Sequence, residues 1–124
     1  MILDERKVAS FYAQADIFVS ASGSETFGFT VAEAMACSTP AVVVKSGAFP
    51  AVYKMILENM FETDDIQGYC NCVDKVYKDI ERLSESARKI AVSGFSIELS
   101  VQALLQVYQH IINGCPEESD DLKI

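Results

Sequence analysis

Residues 22–40 read SGSETFGFTVAEAMACSTP, and the fold turns on this stretch. It starts small and polar, passes through Gly28 between Phe27 and Phe29, and becomes a short alanine-rich helix that Ser38, Thr39 and Pro40 stop. Just upstream, Ile17, Phe18 and Val19 form a short apolar run rich in β-formers, which predicts a strand buried on both faces. Residues 41–44, AVVV, predict a second strand of the same kind. Two such strands joined through a helix in so few residues make a βαβ unit, hence a parallel pair with a right-handed crossover. Ligands of parallel sheets gather at the carboxyl ends of the strands, where segments 20–29 and 45–50 emerge.

Outward from this unit the pattern is mostly helical. Behind Asp4, Val8, Phe11, Tyr12 and Ala15 recur at the spacing of an amphipathic helix. After Pro50 the sequence predicts a short helix over 51–57, a short strand over 59–62, and a turn and helix cap at Asp64 and Asp65. A long helix over 66–83 follows, with Val73, Val76, Tyr77 and Ile80 on its apolar face. A further helical segment over 86–92 is expected to break at Gly94, and a last helix, capped by Ser96, ends at Asn113 and Gly114. Two or three strands for five or more helices is a deficit. The chain reads as α/β, a partial Rossmann-like parallel sheet flanked by helices, the second half of a doubly wound domain. Residues 1–114 are assigned to that partial domain and 115–124, with Glu117, Glu118, Asp120 and Asp121, to an acidic flexible tail.

Composition excludes several functions. At 124 residues the chain is at most one domain, half of it hydrophobic, and therefore globular. A net charge of −8 opposes binding to nucleic acid or to an anionic membrane surface. No apolar run is long enough to predict a transmembrane segment, and Asp4, Glu5, Arg6 and Lys7 occupy the place of a signal peptide's apolar core. Cys37, Cys70, Cys72 and Cys115 include no C-x2-C pair and there is a single histidine, so neither a metal nor another cofactor is expected. Reduced thiols in a cytoplasmic protein are the expectation.

Three residues of the central stretch bear on chemistry. Glu25, just ahead of a helix N-terminus, could accept hydrogen bonds from sugar hydroxyls, but Ser22-x-x-Glu25 also fits a capping box. Glu33 is a carboxylate on an alanine-rich helix, which suggests a face open to solvent or ligand, yet Thr30-x-x-Glu33 is again a capping-box spacing. Gly28 could adopt positive φ or let a ligand approach, and Gly47 invites the same argument more weakly. Eight residues of helix between the two glutamates would span about 12 Å, comparable to the reach from a ribose across a diphosphate to a hexose.

The string SETFGFTVAEAMACSTPAVVV resembles the E-x7-E donor region of the retaining GT-B glycosyltransferases of the sucrose synthase, sulfoquinovosyl transferase and phosphatidylinositol mannosyltransferase type. Asp16 to Val19 is similar to that family's "aDvfv" strand, SGAFP to its "GG-x-P" loop, and the segment from Ala87 to Tyr108 to its closing "ar…fsw…Y" pattern. The resemblance implies the second half of the C-terminal lobe of a GT-B fold, holding a UDP- or GDP-sugar without a protein-bound metal. By position Glu25 would bind the transferred hexose and Glu33 the ribose, with backbone around Phe27, Gly28, Phe29 and Thr30 against the sugar and diphosphate. Departures are Ser38 and Ser46 where the family has glycines, and Ala51 where an acid is usual. The basic pair that neutralises the diphosphate and the acceptor-binding N-terminal lobe have no counterpart here, and no residue of this chain is assigned catalysis.

These readings make the chain the nucleotide-sugar-binding portion of a retaining hexosyltransferase, inactive in isolation. The alternatives are a non-catalytic interaction module with a degenerate donor-binding fold, or a truncated gene product. For truncation, exposed apolar surface is expected on 17–19 and 42–44, where absent strands would have paired.

Overall fold

The Asp4 side chain accepts from the Arg6 amide at 2.9 Å and so starts the first helix, α1 (Glu5–Gln14), where the sequence places it. The computed structural model describes residues 4–114, and the expected acidic tail and Cys115 lie outside them. After α1 come β1 (Phe18–Ser20), α2 (Phe29–Ala36), β2 (Ala41–Val44), α3 (Phe49–Val52), a 3₁₀ segment (Lys54–Asn59) and β3 (Met60–Phe61). Helices α4 (Ile66–Lys78), α5 (Ile80–Phe95) and α6 (Ile97–Ile112) complete the order. Two units divide the chain, Met1–Val92, which holds the sheet, and Ser93–Ile124.

The sheet is parallel throughout, in the order β1-β2-β3, with Phe18 opposite Ala41 and Val43 opposite Met60. Central β2 is buried along its whole length, as a strand of four apolar residues between two neighbours must be. β1 is an edge strand instead of the doubly buried one expected. Phe18 and Ser20 are half-buried and Val19 is 40% exposed. Exposure is thus found at one of the two runs where absent neighbours were expected to leave it, and not at Val42–Val44, which β3 covers on its free side.

Val31, Ala34 and Met35 of α2, Val42 and Val43 of β2, Phe49, Tyr53 and Val76 are fully buried and form the core. At about 25 cal/mol per Å² of apolar surface removed from water, these side chains supply the main favourable term. Helix α2 ends in a Schellman motif. The Ser38 amide donates to the Met35 carbonyl and the Thr39 amide to the Ala34 carbonyl, both at 3.0 Å, with Ser38 at φ 63°. Pro40 then holds Thr39 out of helical conformation.

The C-terminal helices depart from the sequence reading. The helix expected over 66–83 breaks at Asp79 (φ −122°, ψ 32°), whose carboxylate takes up Arg82. Tyr77, expected on the apolar face, is 62% exposed, while Val76 beside it is buried. Gly94 does not break α5, which runs through it to Phe95; no side chain crowds that position and the helix continues at a modest propensity cost. By length and composition the stretch Ile80–Ile112 contains an 18-residue window, mean hydropathy 1.5, apolar enough to cross a membrane, which the sequence reading did not expect. Ser96, extended at φ −70° and ψ 149°, divides it into two helices of 16 residues, each short of the roughly 20 a span needs.

Candidate functional site

The loops leaving β1 and β2 at their carboxyl ends touch each other. The Ala48 amide donates to the Glu25 carbonyl at 3.2 Å and the Ser46 hydroxyl to the Gly23 carbonyl at 3.5 Å. Gly47 permits this approach, since at φ 59° a Cβ there would stand 2.8 Å from the Gly23 oxygen. The two segments expected at the ligand end of the sheet therefore form one rim, with Glu25 half-buried in it.

Helix α2 starts from this rim. Its N-cap is Gly28, in left-handed conformation (φ 78°, ψ 58°), with no side-chain cap on the helix amides. Only glycine fits, because a Cβ would lie 2.7 Å from Cε1 of the buried Phe49 ring. The Gly28 carbonyl accepts the Val31 and Ala32 amides and the Tyr53 hydroxyl, the last at 2.7 Å. Burial pushes the Tyr53 phenol up to about 12, to which the negative charge of Glu25 contributes. Rings of Phe27, Phe49 and Tyr53 pack together under the helix start, and Phe27 lies 4.8 Å from Phe29 between ring centroids.

Neither glutamate is a helix cap. Ser22 sits well ahead of the helix and Thr30 lies inside its first turn, so both capping-box readings fail. Nor does the 12 Å helical span hold, because α2 begins at Phe29 and only the second half of the interval between the glutamates is helical. Glu33 is exposed and faces α1, where its Oε2 accepts from the Tyr12 hydroxyl at 3.1 Å. There a groove of about 500 Å³ runs between the helices, lined by Glu5, Val8, Ala9 and Tyr12 from α1 and by Glu33, Ala36 and Cys37. Partial burial holds the Tyr12 phenol above its ordinary value, and the bond to Glu33 and its charge raise it further.

Of the residues singled out from sequence, the structure places Glu25 and Gly28 at the rim and packs half-buried Phe27 at a tilt against Phe29, which is 71% exposed. Thr30 is exposed in the first turn of α2, and Glu33 stands apart from the rim residues on the groove. Tyr12 and Tyr53 were missed. Tyr53 lies four residues after Phe49, a pair that helical spacing could have marked as one aromatic face. Nothing in the pattern around Tyr12 distinguishes a core tyrosine from one whose hydroxyl has a carboxylate partner. Among the described residues no group of three or more His, Cys, Asp or Glu side chains is arranged for a metal.

Residues 3–91 match the profile of the family described as glycosyl transferases group 1. The chain belongs to that family. A D-inositol 3-phosphate glycosyltransferase of Thermobifida fusca is 29% identical over 88% of this chain and 26% of its own length. One from Geodermatophilus obscurus is 34% identical over 82% of the chain and 22% of its own length. N-acetyl-alpha-D-glucosaminyl L-malate synthase of Bacillus anthracis is 28% identical over 85% of the chain and 29% of its own length. The chain thus spans about a quarter of the length of the curated relatives it matches. No solved structure gives a significant match. The parallel sheet flanked by helices is that of a partial GT-B Rossmann-like domain in this glycosyl transferases group 1 chain.

Proposed function

We propose that this chain is the donor-binding portion of a retaining hexosyltransferase that takes a UDP- or GDP-sugar. The observation that carries the reading is the start of α2, a glycine-capped helix with no side-chain cap, opening from the rim at the carboxyl ends of two parallel strands. Unspent amides at such an end attract phosphate oxygens. Glu25 in the rim is the acceptor for hydroxyls of the hexose. Glu33, exposed and with lone pairs left beyond the one Tyr12 takes, is the acceptor for those of the ribose. The pair corresponds to the E-x7-E motif.

Transfer needs a second lobe to hold the acceptor, because positioning the two substrates supplies much of the rate. The chain alone therefore binds donor without turning it over. Cys37, Cys70 and Cys72 are free, Cys70 at the surface, which suits a reducing, cytoplasmic setting.

The test is calorimetric titration of the 124-residue chain with UDP, UDP-glucose, GDP and GDP-mannose. Glu33→Ala should weaken nucleotide and nucleotide-sugar alike, by about tenfold for a lost charge-assisted bond. Glu25→Ala should weaken only the nucleotide-sugar. Binding that ignores both substitutions, or no binding at all, would overturn the reading.

A further inference from the structure

We propose that Tyr12 is a positioning residue for Glu33, fixing the carboxylate in the orientation that receives a vicinal diol; this rests on the reading of Glu33 as the ribose acceptor. The Tyr12 hydroxyl donates to Glu33 Oε2 at 3.1 Å across the α1–α2 groove. Tyr12 is itself held on two further sides. Its ring stands edge-on to Phe18 of β1, centroids 6.0 Å apart, and its carbonyl accepts the Thr39 hydroxyl at 2.5 Å as well as the Ala15 amide. Thr39 is 1% exposed and follows directly on the C-terminal turn of α2. The ring of Tyr12 is thereby set against the sheet, and its backbone is tied to the far end of the helix that carries its partner.

A carboxylate on an exposed helix face otherwise samples several rotamers, and a ligand must bear the entropy of fixing it. The phenol removes that cost in advance and uses one lone pair of one oxygen. The remaining acceptor positions stay available to two adjacent hydroxyls. A phenol holds its proton at neutral pH, so in this bond Tyr12 is the donor and the Glu33 carboxylate the acceptor.

The experiment compares wild type, Tyr12→Phe, Glu33→Ala and the double variant by calorimetry with UDP, GDP and their 2′-deoxy counterparts. Phenylalanine keeps the ring against Phe18, so thermal stability should not change by more than a degree or two. Tyr12→Phe should weaken the ribonucleotides about fivefold, leave the 2′-deoxynucleotides within about twofold, and add nothing in the Glu33→Ala background. Tyrosine ζ-carbon NMR provides a ligand-free readout, in which Glu33→Gln should move the Tyr12 resonance and lower its ionisation midpoint.

An effect of Glu33→Ala with none of Tyr12→Phe would overturn this inference and leave the donor-site reading standing. Equal weakening of ribo- and deoxynucleotides, or a Tyr12 signal indifferent to Glu33→Gln, would also overturn it. Indifference to Glu33→Ala, or no nucleotide binding by wild type, removes the donor-site reading and this inference with it.

Discussion

The two ends of α2 use the same backbone trick under different constraints. Gly28 at the start has φ 78° and Ser38 just past the end has φ 63°, both in the left-handed region. At Gly28 the dihedral and the neighbourhood agree, because Phe49 occupies the space any side chain would need. At Ser38 the dihedral favours glycine, yet a small, half-buried polar side chain is accommodated. The end that faces the proposed ligand is thus locked twice, by shape and by the Tyr53 bond to the Gly28 carbonyl. The other end is a helix stop that works with a suboptimal residue.

The largest effect should come from breaking the locked end. Gly28→Ala forces an L side chain into positive φ and drives its Cβ into a ring of the core. The two penalties together should destabilise the protein by about 3 kcal/mol. Chemical denaturation checks this. Donor binding should fall along with stability, because the ring that must move underlies the start of α2. A loss below about 1 kcal/mol would mean that Phe49 can swing aside and that the N-terminal end is no more constrained than the other.

A smaller loss isolates the bond from the shape. Tyr53→Phe keeps the aromatic volume and deletes the hydroxyl, leaving the Gly28 carbonyl with its two amide donors. About 1 kcal/mol should be lost at neutral pH. The wild type carries a further sign. A phenol raised from its ordinary value to about 12 in the folded state stabilises fully below pH 10, and that contribution is lost as pH rises through 12. The alkaline limb of the stability curve should therefore be flatter in Tyr53→Phe than in wild type, and equal limbs would show that Tyr53 is not the group responsible.

Much of this was legible in the sequence because it is local. The run AVVV between breakers dictates a buried strand, Asp4, Asp65 and Ser96 each cap the helix they precede, and Ser38, Thr39 and Pro40 stop α2. The misreadings concern what comes from elsewhere in the chain. Whether Ile17, Phe18 and Val19 are buried depends on neighbouring strands, and β1 has only one. The break at Asp79 interrupts a stretch whose apolar spacing continues across it, so periodicity alone could not place it. The candidate glutamates were visible as carboxylates at a fixed spacing, but their partners were not. The Tyr12–Glu33 and Tyr53–Gly28 bonds join residues more than twenty positions apart, which no local pattern encodes.

The smallest effect tests the permissive end and carries the opposite sign. Ser38→Gly relieves the roughly 1 kcal/mol that an L residue spends in the left-handed region. Part of that gain is returned, because glycine leaves the unfolded chain more freedom to lose. The net should be a stabilisation of about half a kcal/mol, a rise in melting temperature of about 2 °C for a chain of this size. Ser38→Ala is the control, since it deletes the hydroxyl and leaves the strain, and it should yield no gain. If the alanine variant gained as much as the glycine variant, the hydroxyl and not the dihedral would be the source of the cost. The two ends of α2 would then differ in kind, the N-terminal end limited by backbone geometry and the C-terminal end by a side chain.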